Sequence, residues 1–85
     1  MKIRYSKKAQ KFLMKIGGKT AGRIRDAIMG LTLKPPKGDI KPMEGSKESY
    51  RLRVGTYRVI YRYLFEMEIE ILMIDDIGNR GDIYK

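Results

Sequence analysis

Residues 50–62 alternate between apolar or aromatic side chains and basic ones, and this stretch constrains the fold more than any other. Its sequence is Tyr-Arg-Leu-Arg-Val-Gly-Thr-Tyr-Arg-Val-Ile-Tyr-Arg. A period of two is typical of β-strands, and a two-residue turn that contains glycine joins two strands into a tight hairpin. We therefore predict a hairpin with its turn at Gly55-Thr56. In this register Arg53 lies opposite Arg58, and Leu52 lies opposite Val59.

Arginines collect on one face of this hairpin. Because side chains alternate along a strand, Arg51, Arg53 and Arg58 share one face, whereas the apolar residues share the other. Like charges directly across a hairpin repel each other by a few tenths to about 1 kcal/mol. An anion bound on that face would offset the repulsion, and the anion that we expect there is a nucleic-acid backbone.

The composition excludes several kinds of chemistry. The 85 residues include no cysteine and no histidine, which removes thiolate nucleophiles, cysteine-based metal sites and imidazole bases. No apolar run approaches the length of a membrane span, and the N-terminus lacks the apolar core of a signal peptide. We expect residues 1–85 to form a single soluble, cytoplasmic domain with no metal, no cofactor and no membrane partner.

The positive charge is unevenly distributed. The net charge is +9, with 17 Lys/Arg and 4 Asp/Glu in residues 1–64 but 2 Lys/Arg and 6 Asp/Glu in residues 65–85. A small domain with such an excess of cations binds polyanions or acidic proteins. The charge therefore agrees with a nucleic-acid partner for the arginine face.

Hydrophobic spacing predicts two helices near the N-terminus. Residues 2–5 alternate as a short edge strand, and Ser6 is a candidate N-cap for an amphipathic helix that Gly17-Gly18 ends. A second helix is predicted to begin near Thr20. The short break between them implies an antiparallel αα-hairpin.

The rest of the chain is predicted to be a loop followed by strands. Residues 34–49 are expected to be irregular, residues 65–74 to form one long strand after the hairpin, and residues 75–81 to form a turn before a short extended piece. The order β-α-α-β-β-β with a short C-terminal strand predicts an α+β fold. A small antiparallel β-sheet then carries the αα-hairpin on one face, and the arginine face lies open to solvent.

Three segments together resemble the RelE/ParE superfamily of toxins from toxin–antitoxin systems. They are residues 3–9 (Ile-Arg-Tyr-Ser-Lys-Lys-Ala), the hairpin residues 50–61 and residues 77–84 (Ile-Gly-Asn-Arg-Gly-Asp-Ile-Tyr). The first segment alone is a weak motif, whereas the hairpin and the closing motif at this spacing are specific. The resemblance covers essentially the whole chain and implies a small antiparallel sheet with a helical hairpin on one side.

The resemblance implies two alternative activities. RelE-like members are endoribonucleases that cleave mRNA in the ribosomal A site, whereas ParE-like members inhibit DNA gyrase and are not enzymes. Both kinds are neutralised by an antitoxin that lays an acidic or amphipathic segment over the toxin. We favour the RelE-like mRNA interferase, with mRNA, the ribosome and a cognate antitoxin as partners in a toxin–antitoxin hetero-oligomer.

The resemblance also assigns catalytic residues. Arg51, Arg53 and Arg58 match the basic hairpin positions of the RNase branch, and Arg80 and Tyr84 match its C-terminal pair. The best-known members carry lysine at the positions of Arg51 and Arg53, which preserves the charge but changes the geometry. A branch that uses a C-terminal histidine is no model for this chain. Tyr84 is then the candidate base, with nearby arginines that favour its phenolate form.

Simpler roles stay open for several of these residues. Tyr84 is also compatible with packing against the sheet edge, and Arg80 with an ion pair to Asp76 or Asp82. The cations expected to contact RNA or the ribosome are Lys7, Lys8, Lys11, Lys15 and Arg62. Ordinary solvated lysines explain the helix pattern nearly as well.

Overall fold

The computed structural model describes residues 1–79, in which two helices lie against one face of a five-stranded sheet. The elements in chain order are β1 (Lys2–Tyr5), α1 (Lys7–Ile16), α2 (Gly18–Gly30), β2 (Asp39–Pro42), β3 (Tyr50–Val54), β4 (Tyr57–Glu66) and β5 (Ile69–Asn79). This arrangement confirms the predicted α+β fold with an αα-hairpin on a small sheet. Neither helix of this part of the chain is long and apolar enough to cross a membrane.

The sheet has the strand order β1-β5-β4-β3-β2, so β1 and β2 are its edges. The β3–β4 hairpin has the predicted register, with Arg53 opposite Arg58 and Leu52 opposite Val59. Strands β3, β4 and β5 are antiparallel, as predicted, and so is the unforeseen strand β2, but β1 pairs with β5 in parallel. The sheet is therefore mixed at one edge. After β1 the chain passes through the αα-hairpin, enters the sheet again at the opposite edge as β2, and reaches the neighbour of β1 only with β5.

Helix α1 begins as the sequence predicts. The backbone N–H of Ala9 donates to the Ser6 Oγ at 3.0 Å, and this N-cap satisfies one of the free donors of the first turn. The helix ends at Gly17, where a positive φ of 52° breaks the helical path. Helix α2 then begins directly at Gly18 rather than near Thr20.

The core lies between the helices and the inner face of the sheet. The inward residues of the hairpin were predicted correctly, since Leu52, Val59 and Tyr61 are all almost completely buried. The core also includes the following residues of the helices and of β5: Ala9, Leu13, Ala21, Ile24, Ile28, Leu31, Leu72, Ile74 and Ile77. Burial of this apolar surface is the main force that holds the αα-hairpin on the sheet.

Two strands differ from the prediction. The expected single strand over residues 65–74 contains a second hairpin, whose turn is Met67-Glu68. The expected turn over residues 75–81 belongs to β5 up to Asn79, with a register shift opposite Ile60/Tyr61. The expected loop over residues 34–49 contains β2, which pairs with β3. The extended piece predicted for residues 82–85 lies outside the described residues.

Candidate nucleic-acid interface

The sheet face opposite the helices carries the arginines of the β3–β4 hairpin. Arg53 and Arg58 are direct cross-strand partners, and Arg51 pairs with Ile60 on the same face. Side chains of paired residues project to the same side of a sheet. The register therefore brings Arg51, Arg53 and Arg58 together as expected.

The prediction that this face lies open to solvent was wrong for two of the three arginines. Arg51 and Arg58 keep only 8% and 4% of their surface exposed, whereas Arg53 is exposed. Arg51 contacts the carboxylate of Asp39 on β2, a neighbouring strand that was not foreseen. Arg58 lies on β4 between β3 and β5 and donates through Nη1 to the carbonyl of Tyr57 at 3.3 Å. Arg53 is thus the hairpin arginine that a ligand reaches first.

Asp39 is a member of this cluster that sequence analysis missed. Its Oδ1 accepts from Arg51 Nη2 at 3.1 Å, and its Oδ2 accepts from Arg53 Nε at 2.5 Å. The hydrogen bond from Arg53 is the main cause that lowers the pKa of the Asp39 carboxyl below its usual value. Asp39 was missed because strand β2 was not predicted, and the pairing of β2 with β3 is what places Asp39 directly opposite Arg53.

Arg62 continues the arginine face along β4. Its Nε donates to Asp75 Oδ2 at 2.9 Å, and about two fifths (38%) of its side chain is exposed. This hydrogen bond and the charge of Asp75 raise the pKa of Arg62. Arg62 is therefore half-buried beside a carboxylate, and its expected contact with RNA or the ribosome stays a prediction.

Three of the four helix lysines line one cleft. Lys8, Lys11 and Lys15 lie on α1 around Phe12, and the opposite wall is residues 76–78 of β5; the cleft has a volume of about 320 Å³. Lys8 Nζ lies 3.5 Å from Asp76 Oδ2. The ring of Phe12 packs edge-on against that of Tyr57 with centroids 5.9 Å apart. Lys7 is exposed on the same helix but is not part of the cleft wall.

The C-terminal end of β5 touches both basic surfaces. Gly78 lines the lysine cleft and is also the cross-strand partner of Arg58. Asn79, the residue before Arg80 in the sequence, pairs with Tyr57 next to the Gly55-Thr56 turn. Arg80 and Tyr84 themselves lie outside the described residues, so their predicted roles stay predictions.

One buried tyrosine and two half-buried ones are poor candidates for a general base. Burial is the largest cause that raises the pKa of Tyr5, Tyr61 and Tyr63 above the usual value. The hydroxyl of Tyr63 also donates to the carbonyl of Leu31 at 2.8 Å. A raised pKa keeps the phenol neutral at physiological pH. Within residues 1–79, no group of three or more acidic side chains is placed to hold a metal ion.

Comparison with known proteins identifies relatives of this chain. It is 43% identical over 49 residues to the putative toxin RelE1 of Methanocaldococcus jannaschii, a match that covers 58% of this chain and 52% of the relative. The match thus spans about half the length of that curated relative.

Two solved structures share the fold over almost their whole length. The RelE–RelB complex of Pyrococcus horikoshii contains a chain that is 26% identical, with a TM-score of 0.72 and coverage of 95% of this chain and 96% of that one. The RelB–RelE antitoxin–toxin complex of Methanococcus jannaschii contains one that is 25% identical, with a TM-score of 0.69 and coverage of 94% and 93%.

A family model covers nearly the whole sequence. The model describes the ParE toxin of the type II toxin–antitoxin system parDE, and it matches residues 3–84. This span includes the β3–β4 hairpin, helix α1 and the closing motif of residues 77–84. The chain therefore belongs to the ParE toxin family of type II toxin–antitoxin systems.

Proposed function

We propose that this protein is a toxin that arrests translation by cleaving mRNA in the ribosomal A site, as an endoribonuclease of the RelE type. The observation that carries the proposal is the meeting of two basic surfaces at the C-terminal end of β5. The arginine face lies on one side of this strand end, and the lysine cleft lies on the other. RelE relatives among the comparisons support the same choice.

Cleavage of RNA by its own 2′-hydroxyl needs a base, charge stabilisation at the phosphorane and a proton for the 5′-oxygen. Arg51 and Arg53 are suited to hold the scissile phosphate, because guanidinium groups bind phosphate oxygens in a bidentate way. Arg58 supplies a buried positive charge, whose field is stronger than that of a solvated one. In this proposal Tyr84 is the base, and Arg80 assists the leaving oxygen.

The lysine cleft supplies affinity for the polyanion. Lys8, Lys11 and Lys15 are exposed cations at successive turns of one helix, and Lys7 extends the same surface. Cations in this arrangement bind the phosphates of ribosomal RNA without reading its sequence. A site without histidine is a weak catalyst alone, so we propose that the ribosome positions the message and supplies the missing orientation.

The proposed inhibitor is an antitoxin with an acidic or amphipathic segment. The structures from P. horikoshii and M. jannaschii are complexes of RelE with RelB, and this supports a protein partner of that kind. The net charge of +9 favours an acidic partner. The resulting complex would cover the arginine face and keep the toxin from RNA.

The test is primer extension on mRNA from translating ribosomes incubated with the purified protein. Wild-type protein should produce cuts within A-site codons, and Arg80→Ala and Tyr84→Phe should abolish them while the proteins stay folded. Arg25→Ala, which removes an exposed arginine from α2, is the matched control and should cut like wild type. Cuts that persist in both site variants would refute the site assignment, and no cuts by folded wild-type protein would refute the RNase proposal.

The second candidate is a non-enzymatic inhibitor of DNA gyrase, and the description of the matched family as ParE toxins favours it. In that case the arginine face is a docking surface. A supercoiling assay with purified gyrase separates the two candidates. An RNase leaves supercoiling unchanged, whereas a gyrase inhibitor blocks it and leaves mRNA intact.

A further inference from the structure

Arg51 carries a positive charge that is almost completely buried. Its side chain is only 10% exposed, and its Nε is a buried donor with no hydrogen-bond partner among residues 1–79. A buried guanidinium is costly unless an anion compensates it. In the described chain, the anion in contact with Arg51 is the carboxylate of Asp39.

Asp39 holds both arginines with a geometry that a phosphate reproduces. One carboxylate oxygen contacts Arg51 and the other contacts Arg53. Two oxygens of a phosphodiester can make the same pair of charge-assisted hydrogen bonds. The position between Arg51 and Arg53 is therefore an anion site that a side chain of the protein already occupies.

Asp39 is free to leave that position without loss of the sheet. It is the first residue of an edge strand, it follows Gly38, and 43% of its side chain is exposed. Rotation of its side chain into solvent leaves the backbone pairing of β2 with β3 intact. The ion pair with Arg53, whose side chain is 47% exposed, is of the kind that contributes little to stability. The buried charge of Arg51 stays compensated only if the incoming anion takes the place of the carboxylate, so departure of Asp39 is coupled to binding.

We propose that Asp39 occupies the site of an RNA phosphate in the free protein and is displaced from Arg51 and Arg53 when RNA binds. Asp39 thereby keeps the arginines aligned and lowers the affinity for polyanions until RNA competes for them. The inference rests on the proposed function for the identity of the anion. It concerns binding alone, so it can be tested without the ribosome and without cleavage.

The test measures binding of a short fluorescein-labelled single-stranded RNA by fluorescence anisotropy. Wild-type protein is compared with Asp39→Asn and with Asp26→Asn, which makes the same charge change at an exposed position on α2. Asp39→Asn should bind about two- to fivefold more tightly than Asp26→Asn, because it removes a competing ion pair. Asp39→Glu, which restores the carboxylate, should return the affinity towards that of wild type.

Two results would overturn the proposal. Equal affinity of Asp39→Asn and Asp26→Asn would mean that net charge alone matters. Weaker binding by a folded Asp39→Asn would mean that Asp39 only supports the structure. A loss of stability without displacement predicts weaker or unchanged binding, so the direction of the change separates the two roles.

A second measurement uses the wild-type protein, in case Asp39→Asn does not fold. The Nε–Hε resonance of Arg53 is followed by NMR while the same RNA is added. Exchange of the Asp39 carboxylate for a phosphate should shift this resonance, and an unchanged resonance in the RNA-bound protein would overturn the proposal. Loss of ribosomal cleavage activity has no bearing on either measurement, so failure of the proposed function and failure of this inference are distinguishable.

Discussion

Ser6 is the residue whose substitution tests most directly how helix α1 is attached to the sheet. Its hydroxyl accepts from the backbone N–H of Ala9 at 3.0 Å and donates to the carbonyl of Asp75 at 2.8 Å. Its own backbone N–H donates to the carbonyl of Ile74 at 2.9 Å. One side chain thus caps α1 and fixes the start of that helix to the irregular part of β5, next to the cleft.

The expected cost of Ser6→Ala follows from the two hydrogen bonds that the hydroxyl makes. Loss of an N-cap serine costs about 1 kcal/mol, and loss of the bond to a partly buried carbonyl costs about 1 kcal/mol more. The free energy of unfolding should therefore fall by about 2 kcal/mol. For a domain of this size, that corresponds to a decrease of roughly 10 °C in Tm.

Thermal unfolding followed by circular dichroism or calorimetry measures this change. Ser6→Thr keeps the hydroxyl and should stay close to wild type. Ser46→Ala is the matched control, because the Ser46 hydroxyl accepts one longer bond of 3.3 Å in an exposed loop; it should change stability by less than about 0.5 kcal/mol. If Ser6→Ala melted within that margin of wild type, or if Ser6→Thr fell as far, the hydroxyl would not be what joins α1 to β5.

Two further predictions concern the sheet. Burial raises the pKa of Tyr61 above the usual value of about 10, so its stabilising contribution is complete below pH 10 and is lost as the pH rises above it. Between urea titrations at about pH 8 and about pH 10.5, the free energy of unfolding of Tyr61→Phe should therefore fall by less than that of wild type. An identical fall in both proteins would contradict this. Met67 and Glu68 have φ angles of 48° and 66° in the β4–β5 turn, a conformation that favours asparagine and glycine. The double substitution Met67→Asn/Glu68→Gly should raise the free energy of unfolding by about 1 kcal/mol or more, and an unchanged or lower Tm would mean that the two wild-type side chains stabilise the turn in another way.

The two hairpins explain why the sequence predicts one part of the sheet well and another part poorly. The β3–β4 turn contains Gly55, whose φ of 61° is of the type that glycine favours, and regular alternation on both sides fixes the register. The β4–β5 turn places ordinary residues in the same backbone region, so no residue type marks it. The alternation of apolar and acidic residues continues through Met67-Glu68, and for this reason one strand was predicted instead of two.

The surroundings of the hairpin arginines were hard to predict, because they depend on a strand that the sequence marks only weakly. Strand β2 is four residues long and contains Pro42, a residue that strands tolerate mainly at a sheet edge. The position of Asp39 opposite Arg53, and the cover over Arg51, both follow from β2. The shared face of the hairpin arginines was therefore predictable from alternation, whereas their burial and their carboxylate partner required knowledge of which strand lies next to β3.

Four of the acidic residues of β4 and β5 are paired with cations, and this has a consequence for the partners. Carboxylates of β4 and β5 form ion pairs with cations from four different parts of the fold; the pairs are Arg4–Glu66, Lys8–Asp76, Lys34–Glu70 and Arg62–Asp75. These pairs neutralise cations around the periphery of the sheet.

Residues 1–64 contain 17 cations, of which four form those ion pairs, and the same segment contributes only 4 acidic residues of its own. Asp39 is one of the 4, and it lies between the two arginines that the hairpin brings towards an anion. A polyanion that binds at Arg51 and Arg53 therefore competes with the Asp39 carboxylate there. An acidic antitoxin segment would meet the same competitor, so displacement of Asp39 is a step that RNA and antitoxin would share.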